Sequence, residues 1–195
     1  GDGGSGKSTF LRYLAWTAAQ ALLQDRHEVA FDDLRLPCWI RAADLVDSGD
    51  VATALHRAVT SSLGGRLRRP LPSDFFVANA VNGHRNWLIF VDGLDEVESP
   101  QRRDVWDAIR LHAEQDGGFR FIVATRPEAV VSIPTSSVFS RWTVEPINTA
   151  GQAGFAASYI VDLSLRDKFV RLLTLREYRF IGGVPLFLAM SAQLF

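Results

Sequence analysis

The chain opens with a glycine-rich segment, Gly1-Asp2-Gly3-Gly4-Ser5-Gly6-Lys7-Ser8-Thr9, from which its fold class can be predicted. It fits the pattern Gly-x-x-x-x-Gly-Lys-Ser at every fixed position. Glycines let backbone N–H groups turn inward toward a phosphate, and the N-terminus of a following helix adds its positive dipole end. Apolar residues at four-residue spacing supply that helix: Phe10, Leu14, Ala18 and Leu22. The opening stretch is therefore predicted to be a phosphate-binding loop, the Walker A motif, followed by a helix.

A second segment, Trp87-Leu88-Ile89-Phe90-Val91-Asp92, is an apolar run that ends in one aspartate. Such runs form buried parallel strands, and open α/β sheets bind ligands beyond the C-terminal ends of their strands. We therefore expect a Walker B strand, in which Lys7 neutralises the β- and γ-phosphates of a nucleotide while Ser8 and Asp92 hold Mg²⁺. The alternatives are a flexible glycine-rich terminus and an Asp92 that only serves the turn before Gly93.

This strand runs into three carboxylates within five residues, Asp92-Gly93-Leu94-Asp95-Glu96. Carboxylates this close repel one another unless a divalent cation or a positive partner is near. A tight turn at Gly93 would place Asp95 or Glu96 where one of them orients an attacking water, and Asp95 is preferred because it lies nearer the strand. The alternative interpretation is the start of a helix, where acidic residues are favoured without any catalytic role.

A third segment, Phe121-Ile122-Val123-Ala124-Thr125-Arg126-Pro127, predicts a buried strand over 121–125 that ends at an arginine. From the tip of a neighbouring strand, Arg126 could reach a γ-phosphate and sense whether it is present. The alternative is a surface arginine before a turn proline.

Strands alternate with helices along most of the chain. Predicted strands cover 36–40, 87–91, 121–125 and 142–144. Predicted helices cover 8–24, 51–63, 75–81 and 100–113. A loop is predicted over 61–73, and from 149 onward the pattern is helical only. This alternation predicts a doubly wound α/β sheet of parallel strands. We expect a P-loop core over 1–147, lacking its first strand and cut from a larger protein, and the start of a helical subdomain over 148–195.

Composition narrows the class of protein. The 195 residues are 47% hydrophobic and 22% charged, which excludes disorder and a disulfide scaffold. Acidic residues number 22 against 21 lysines and arginines, so the net charge is −1. The sequence therefore has no excess of positive charge that would indicate binding to nucleic acid or to an anionic membrane. The lone Cys38 favours a reducing compartment, and we predict a cytoplasmic location.

Together these segments resemble the NACHT family of STAND P-loop NTPases. The resemblance covers essentially the whole chain, and the block Asp92-Gly93-Leu94-Asp95-Glu96 is its most specific part. Residues 36–41 are similar to the family's second strand, and 144–147 to its exit into the helical subdomain. Membership implies an ATPase that binds ATP with Mg²⁺, hydrolyses it slowly and switches into a self-oligomer. By analogy alone it implies a role in immunity or defence.

The segment Gly182-Gly183-Val184-Pro185-Leu186 is similar to the Gly-x-Pro motif with which related STAND proteins contact the nucleotide. The resemblance implies that Pro185 packs near the base or ribose. The alternative is a proline in the first turn of a helix, where it costs no hydrogen bond. The implied nucleotide-binding residues are Gly1, Asp2, Gly3, Gly4, Ser5, Gly6, Lys7, Ser8, Thr9 and Pro185.

Two other functions remain open from these motifs. The first is a non-hydrolysing scaffold, in which bound nucleotide is a structural latch and oligomerisation is the output. The second is a different P-loop enzyme, such as a small-molecule kinase, which would need an acceptor-binding lid; the sequence offers no candidate segment for one.

Overall fold

A sheet of parallel strands organises the larger part of the chain. The computed structural model describes residues 3–24, 35–46, 49–78, 80–81, 84–85, 87–115, 118–130 and 137–195. Within these residues the strands are β1 (Leu36–Arg41), β2 (Ala80–Val81), β3 (His84–Arg85), β4 (Trp87–Asp92) and β5 (Phe119–Val123). The sheet has the order β1-β4-β5 with both pairs parallel, and β2 pairs with β3 antiparallel. The C-terminal ends of three strands therefore meet at one edge.

The helices described are α1 (Lys7–Gln24), α2 (Val51–Leu63), α3 (Phe75–Ala78), α4 (Ser99–Glu114), α5 (Pro127–Val130), α6 (Thr149–Ala157), α7 (Leu163–Thr174), α8 (Arg179–Gly183) and α9 (Pro185–Leu194). Single 3₁₀ turns cover Ala42–Leu45, Gly64–Arg66, Leu94–Glu96 and Arg176–Tyr178. The helix predicted over 51–63 is confirmed at both ends. Asp50 caps it, because its side chain accepts the Thr53 N–H.

Both faces of the central strand are buried under helices. Successive strand side chains point to opposite faces. On one face, Ile89 joins a core with Leu55 of α2 and Ile109 of α4, all fully buried. On the other face, Phe90 packs with Leu11 of α1. The predicted α/β class with parallel strands is confirmed.

The chain divides into two compact units, one of residues Ser8–Arg141 and one of Gly1–Lys7 with Trp142–Phe195. The sheet and its two cores belong to the first unit. The second has its own core, formed by Ala156, Ile160, Phe169, Leu173, Leu188 and Ala192. The functional division at 147 and 148 into a P-loop core and a helical subdomain stays a prediction.

Four predicted segments differ from the structure. Of the loop predicted over 61–73, residues 61–63 belong to α2 and Gly64–Arg66 form a 3₁₀ turn. The helix over 75–81 ends at Ala78, because Ala80–Val81 instead pairs with His84–Arg85. The strand predicted over 121–125 runs two residues earlier, over Phe119–Val123, where it pairs residue by residue with Trp87–Val91. Residues 142–144 form no strand, and the side chain of Trp142 is 90% exposed rather than packed against the sheet.

None of the helices in the described residues combines the length and the apolar character needed to cross a bilayer.

Candidate functional site

Two side chains 84 positions apart meet at the C-terminal end of the central strand. The Ser8 hydroxyl donates a hydrogen bond to Oδ1 of Asp92 over 2.9 Å. Two features place them together. Asp92 is the last residue of β4, and Ser8 lies in α1, whose Leu11 packs on Phe90 of the same strand. The predicted metal-binding pair is therefore adjacent.

Asp92 is buried, with 8% of its surface exposed. A buried carboxylate is costly unless it is hydrogen-bonded or paired with a cation. Serine and carboxylate oxygens suit Mg²⁺, which takes one or two carboxylates and completes its shell with water and substrate phosphates. Among the described residues, no group of three or more His, Cys, Asp or Glu side chains could form a closed protein cage for a metal. The oxygen atoms of Ser8 and Asp92 therefore fit a Mg²⁺ ion whose other ligands are water and the phosphates of a bound molecule.

The acidic segment after the strand is a tight turn. Gly93 has φ 72° and ψ 40°, the left-handed conformation, and Leu94–Glu96 follow as a 3₁₀ turn. Leu94 is fully buried, and its N–H donates to the Ala124 carbonyl over 3.2 Å. This bond ties the turn to the residue that follows β5.

Asp95 is engaged by Arg126 through both carboxylate oxygens. The Arg126 backbone N–H donates to Oδ1 over 3.1 Å, and Nε lies 2.9 Å from Oδ2. The Asp95 side chain is 12% exposed and that of Arg126 is 52% exposed. The predicted sensor and one of the two predicted water-orienting residues are therefore partners of each other.

Glu96 lies in a different environment from Asp95. It is exposed, and its side chain folds back over Gly93. A Cβ built on Gly93 would lie 3.0 Å from both Cδ and Oε2 of Glu96. The absence of a side chain at Gly93 therefore makes room for this carboxylate.

The glycine-rich loop has the backbone that its sequence predicts. Gly4 and Gly6 have φ values of 76° and 86°, and α1 begins at Lys7. The Lys7 ammonium donates to the Ser5 hydroxyl over 3.3 Å. Gly3 belongs to the turn before the helix, and Thr9 is exposed in its first turn. Gly1 and Asp2 lie outside the described residues.

Pro185 lies against this loop. A Cβ on Gly6 would contact Cγ of Pro185 at 3.5 Å, and one on Gly4 would lie 3.1 Å from the Leu186 Cβ. The Leu186 N–H points at the Gly4 carbonyl over 3.4 Å. Pro185 is also the first residue of α9, as the alternative interpretation expects. Pro185 therefore packs next to the loop, and its contact with a nucleotide stays a prediction.

Sequence reasoning missed Arg102, which lies in the first turns of α4. Its guanidinium donates to the carbonyl oxygens of Asp95 and Val97. The signal in the sequence is its place: a cation in the first turns of a helix opposes the helix dipole, so an arginine there needs acceptors for its charge.

Cys38 is not a candidate nucleophile. Burial raises the pKa of its thiol to about 12, so the reactive thiolate is disfavoured.

Comparison of the sequence with protein-family models gave no match, and comparison with curated proteins gave none. The proposed function is therefore argued from the motifs and the geometry of the described residues.

Proposed function

We propose that this chain is an ATP-binding and slowly hydrolysing module of the NACHT type, built on a P-loop fold, whose nucleotide state controls self-assembly. The observation that carries the proposal is the 2.9 Å hydrogen bond from Ser8 to Asp92. Ser8 is the last fixed residue of the phosphate-loop pattern, and Asp92 ends the central parallel strand. A Walker A hydroxyl beside a Walker B carboxylate is the pair that holds Mg²⁺ in P-loop NTPases.

Charge on the triphosphate is neutralised by Lys7, and its oxygens are hydrogen-bonded by the backbone of the loop. Ser8 and Asp92 hold Mg²⁺, which when bound neutralises charge that develops on the phosphate oxygens. The positive φ values of Gly4 and Gly6 support this role, since such a backbone directs successive N–H groups inward.

The contacts of the acidic turn favour Glu96 as the residue that orients water. Asp95 is held by Arg126, whereas the Glu96 carboxylate is exposed. The water oxygen bonds to the γ-phosphorus as the bond to the bridging oxygen breaks, ADP leaves, and Glu96 accepts the proton from the water. Arg126 keeps half of its side chain exposed, which suits a sensor of the γ-phosphate.

The test measures ATP binding and phosphate release in parallel on the full chain and on Lys7→Ala. Loss of a lysine–phosphate pair is expected to raise the Kd for ATP by about 30-fold or more. The matched control is Lys168→Ala, which removes the only other lysine, an exposed residue of α7. Unchanged binding in Lys7→Ala would reject the proposal.

The same measurements separate the alternatives. Binding with slow phosphate release, reduced in Glu96→Gln, supports the hydrolysing switch. Binding without release in the wild-type chain would favour the scaffold. Release stimulated by an added phosphate acceptor other than water would favour a kinase. Mass measured by light scattering with ATP and with ADP tests whether assembly follows the nucleotide state.

A further inference from the structure

The side chain of Arg102 folds back from α4 onto the acidic turn. Its Nη2 donates to the Asp95 carbonyl over 3.1 Å and to the Val97 carbonyl over 2.8 Å, and its Nε donates to the Val97 carbonyl over 3.1 Å. The residue is partly buried. These bonds hold two backbone positions of one short segment with a single planar group.

The charge of Arg102 lies in an unfavourable place for the helix itself. Cations near a helix N-terminus oppose the dipole, and α4 begins at Ser99. The bonds to carbonyl oxygens offset this cost, because hydrogen bonds from a charged donor are stronger than neutral ones. The position of this arginine is therefore explained by the turn that it holds.

That turn carries two of the three acidic residues of the proposed site, Asp95 and Glu96. The carbonyl of Asp95 is held by Arg102, while its carboxylate is held by Arg126. Glu96 is the next residue, and its carboxylate lies beside Gly93. A change in the backbone at Asp95 would therefore move the carboxylate that holds Arg126 and the one proposed to orient water.

We propose that Arg102 is a positioning residue of this site. It fixes the backbone at Asp95 and Val97 so that Asp95 holds Arg126 and Glu96 stays in place. The part that concerns Glu96 rests on the proposed function; the part that concerns Arg126 does not. A lysine replaces it only in part, since an ammonium keeps the charge but has no counterpart of the Nε donor, which holds the Val97 carbonyl beside Nη2.

The experiment compares Arg102→Lys and Arg102→Ala with wild type and with Arg103→Ala. Arg103 is the exposed neighbour on α4 and provides the matched control for loss of charge. Three quantities are measured on the full chain: the Kd for ATP, kcat for phosphate release, and the exchange rate of the Arg126 Nε–H by NMR. The last needs no nucleotide, and thermal unfolding shows which variants are folded.

We expect kcat to fall by about 10²-fold in Arg102→Ala. The fall in Arg102→Lys is smaller, and the Kd for ATP stays near the wild-type value in both. The Arg126 Nε–H exchanges faster in both variants, and Arg103→Ala matches wild type in all three quantities. If Arg102→Ala does not fold, Arg102→Lys carries the same test.

Two results would overturn the proposal. One is wild-type Nε–H exchange in the folded variants. The other is a loss of ATP affinity as large as the loss of kcat, which would indicate a general structural role. A wild-type chain that neither binds nor hydrolyses ATP would instead reject the proposed function, and Nε–H exchange would still decide whether Arg102 fixes the turn.

Discussion

At the scale of single residues, Gly93 determines where the acidic side chains lie. Its φ of 72° is one that L-residues with a side chain rarely adopt, and the Glu96 carboxylate occupies the space of its missing Cβ. The chain leaves the central strand and enters the 3₁₀ turn at this point. The orientation of both carboxylates therefore depends on one residue without a side chain.

Gly93→Ala is expected to destabilise the chain and to impair the site. The left-handed conformation costs an alanine about 1–2 kcal/mol, and the new methyl group would displace Glu96. Urea unfolding measures the first effect and phosphate release the second. Gly65→Ala is the control, since a Cβ there meets nothing within 4 Å. Wild-type stability in Gly93→Ala would contradict the described backbone.

Residue patterns predicted one part of the candidate site and missed another. The Ser8–Asp92 pair follows from two motifs, because both ends are fixed by spacing and by a strand. The choice between Asp95 and Glu96 does not follow, because it depends on how a three-residue turn faces the next strand. The sequence favoured Asp95 as the water-orienting residue, and the structure places it in an ion pair with Arg126.

At the scale of elements, helices and the central strand could be predicted, whereas the ends of α3 and β5 could not. Strands β2 and β3 pair antiparallel, but the apolar run over 75–81 favoured a helix. The bounds of β5 follow its pairing with Trp87–Val91 of β4. Tertiary pairing therefore overrode local preference in both cases.

The contact between α2 and α4 predicts a pH dependence of stability. Asp50 caps α2, and its Oδ1 lies 3.3 Å from Nε2 of His112 on α4. Burial raises the pKa of Asp50, but hydrogen bonds from Thr53 and from His112 outweigh it, so that the net pKa lies below its ordinary value of 3.8. The contribution to stability is therefore complete above 3.8 and is lost as the pH falls through the folded-state pKa.

Asp50→Asn isolates this charge, since asparagine keeps an oxygen that caps the helix. We expect the difference in unfolding free energy between Asp50→Asn and wild type to be present near neutral pH and to shrink below 3.8. Asp50→Ala also loses the cap and costs about 1 kcal/mol more. Asp104→Asn, an exposed carboxylate of α4, controls for general charge effects. A difference that does not change with pH would contradict the assignment.

At the scale of the whole molecule, each compact unit has its own hydrophobic core. Ile89 and Leu188 are fully buried, the first in the sheet unit and the second in the helical unit. Truncating either to alanine is expected to cost about 2–5 kcal/mol, from lost burial and from the cavity left behind.

Hydrogen exchange followed by mass spectrometry tests whether the units are separate in stability. Ile89→Ala is expected to lower amide protection within 8–141, and Leu188→Ala within 142–195. Ile122→Ala is the control, because this strand residue is 37% exposed and its truncation leaves little cavity. Loss of protection across the whole chain in either core variant would show one cooperative unit.

Helix α4 connects the acidic turn to the N-terminus of α2. One end is anchored to the acidic turn through Arg102, and the other holds the cap of α2 through His112. Its 16 residues span about 24 Å, so a tilt of about 5° at the turn displaces the far end by about 2 Å. The hydrogen bond between His112 and Asp50 is already 3.3 Å long, so a displacement of that size would break it. We therefore predict that a rearrangement around Arg126 changes the contact at the start of α2, at the far end of the helix.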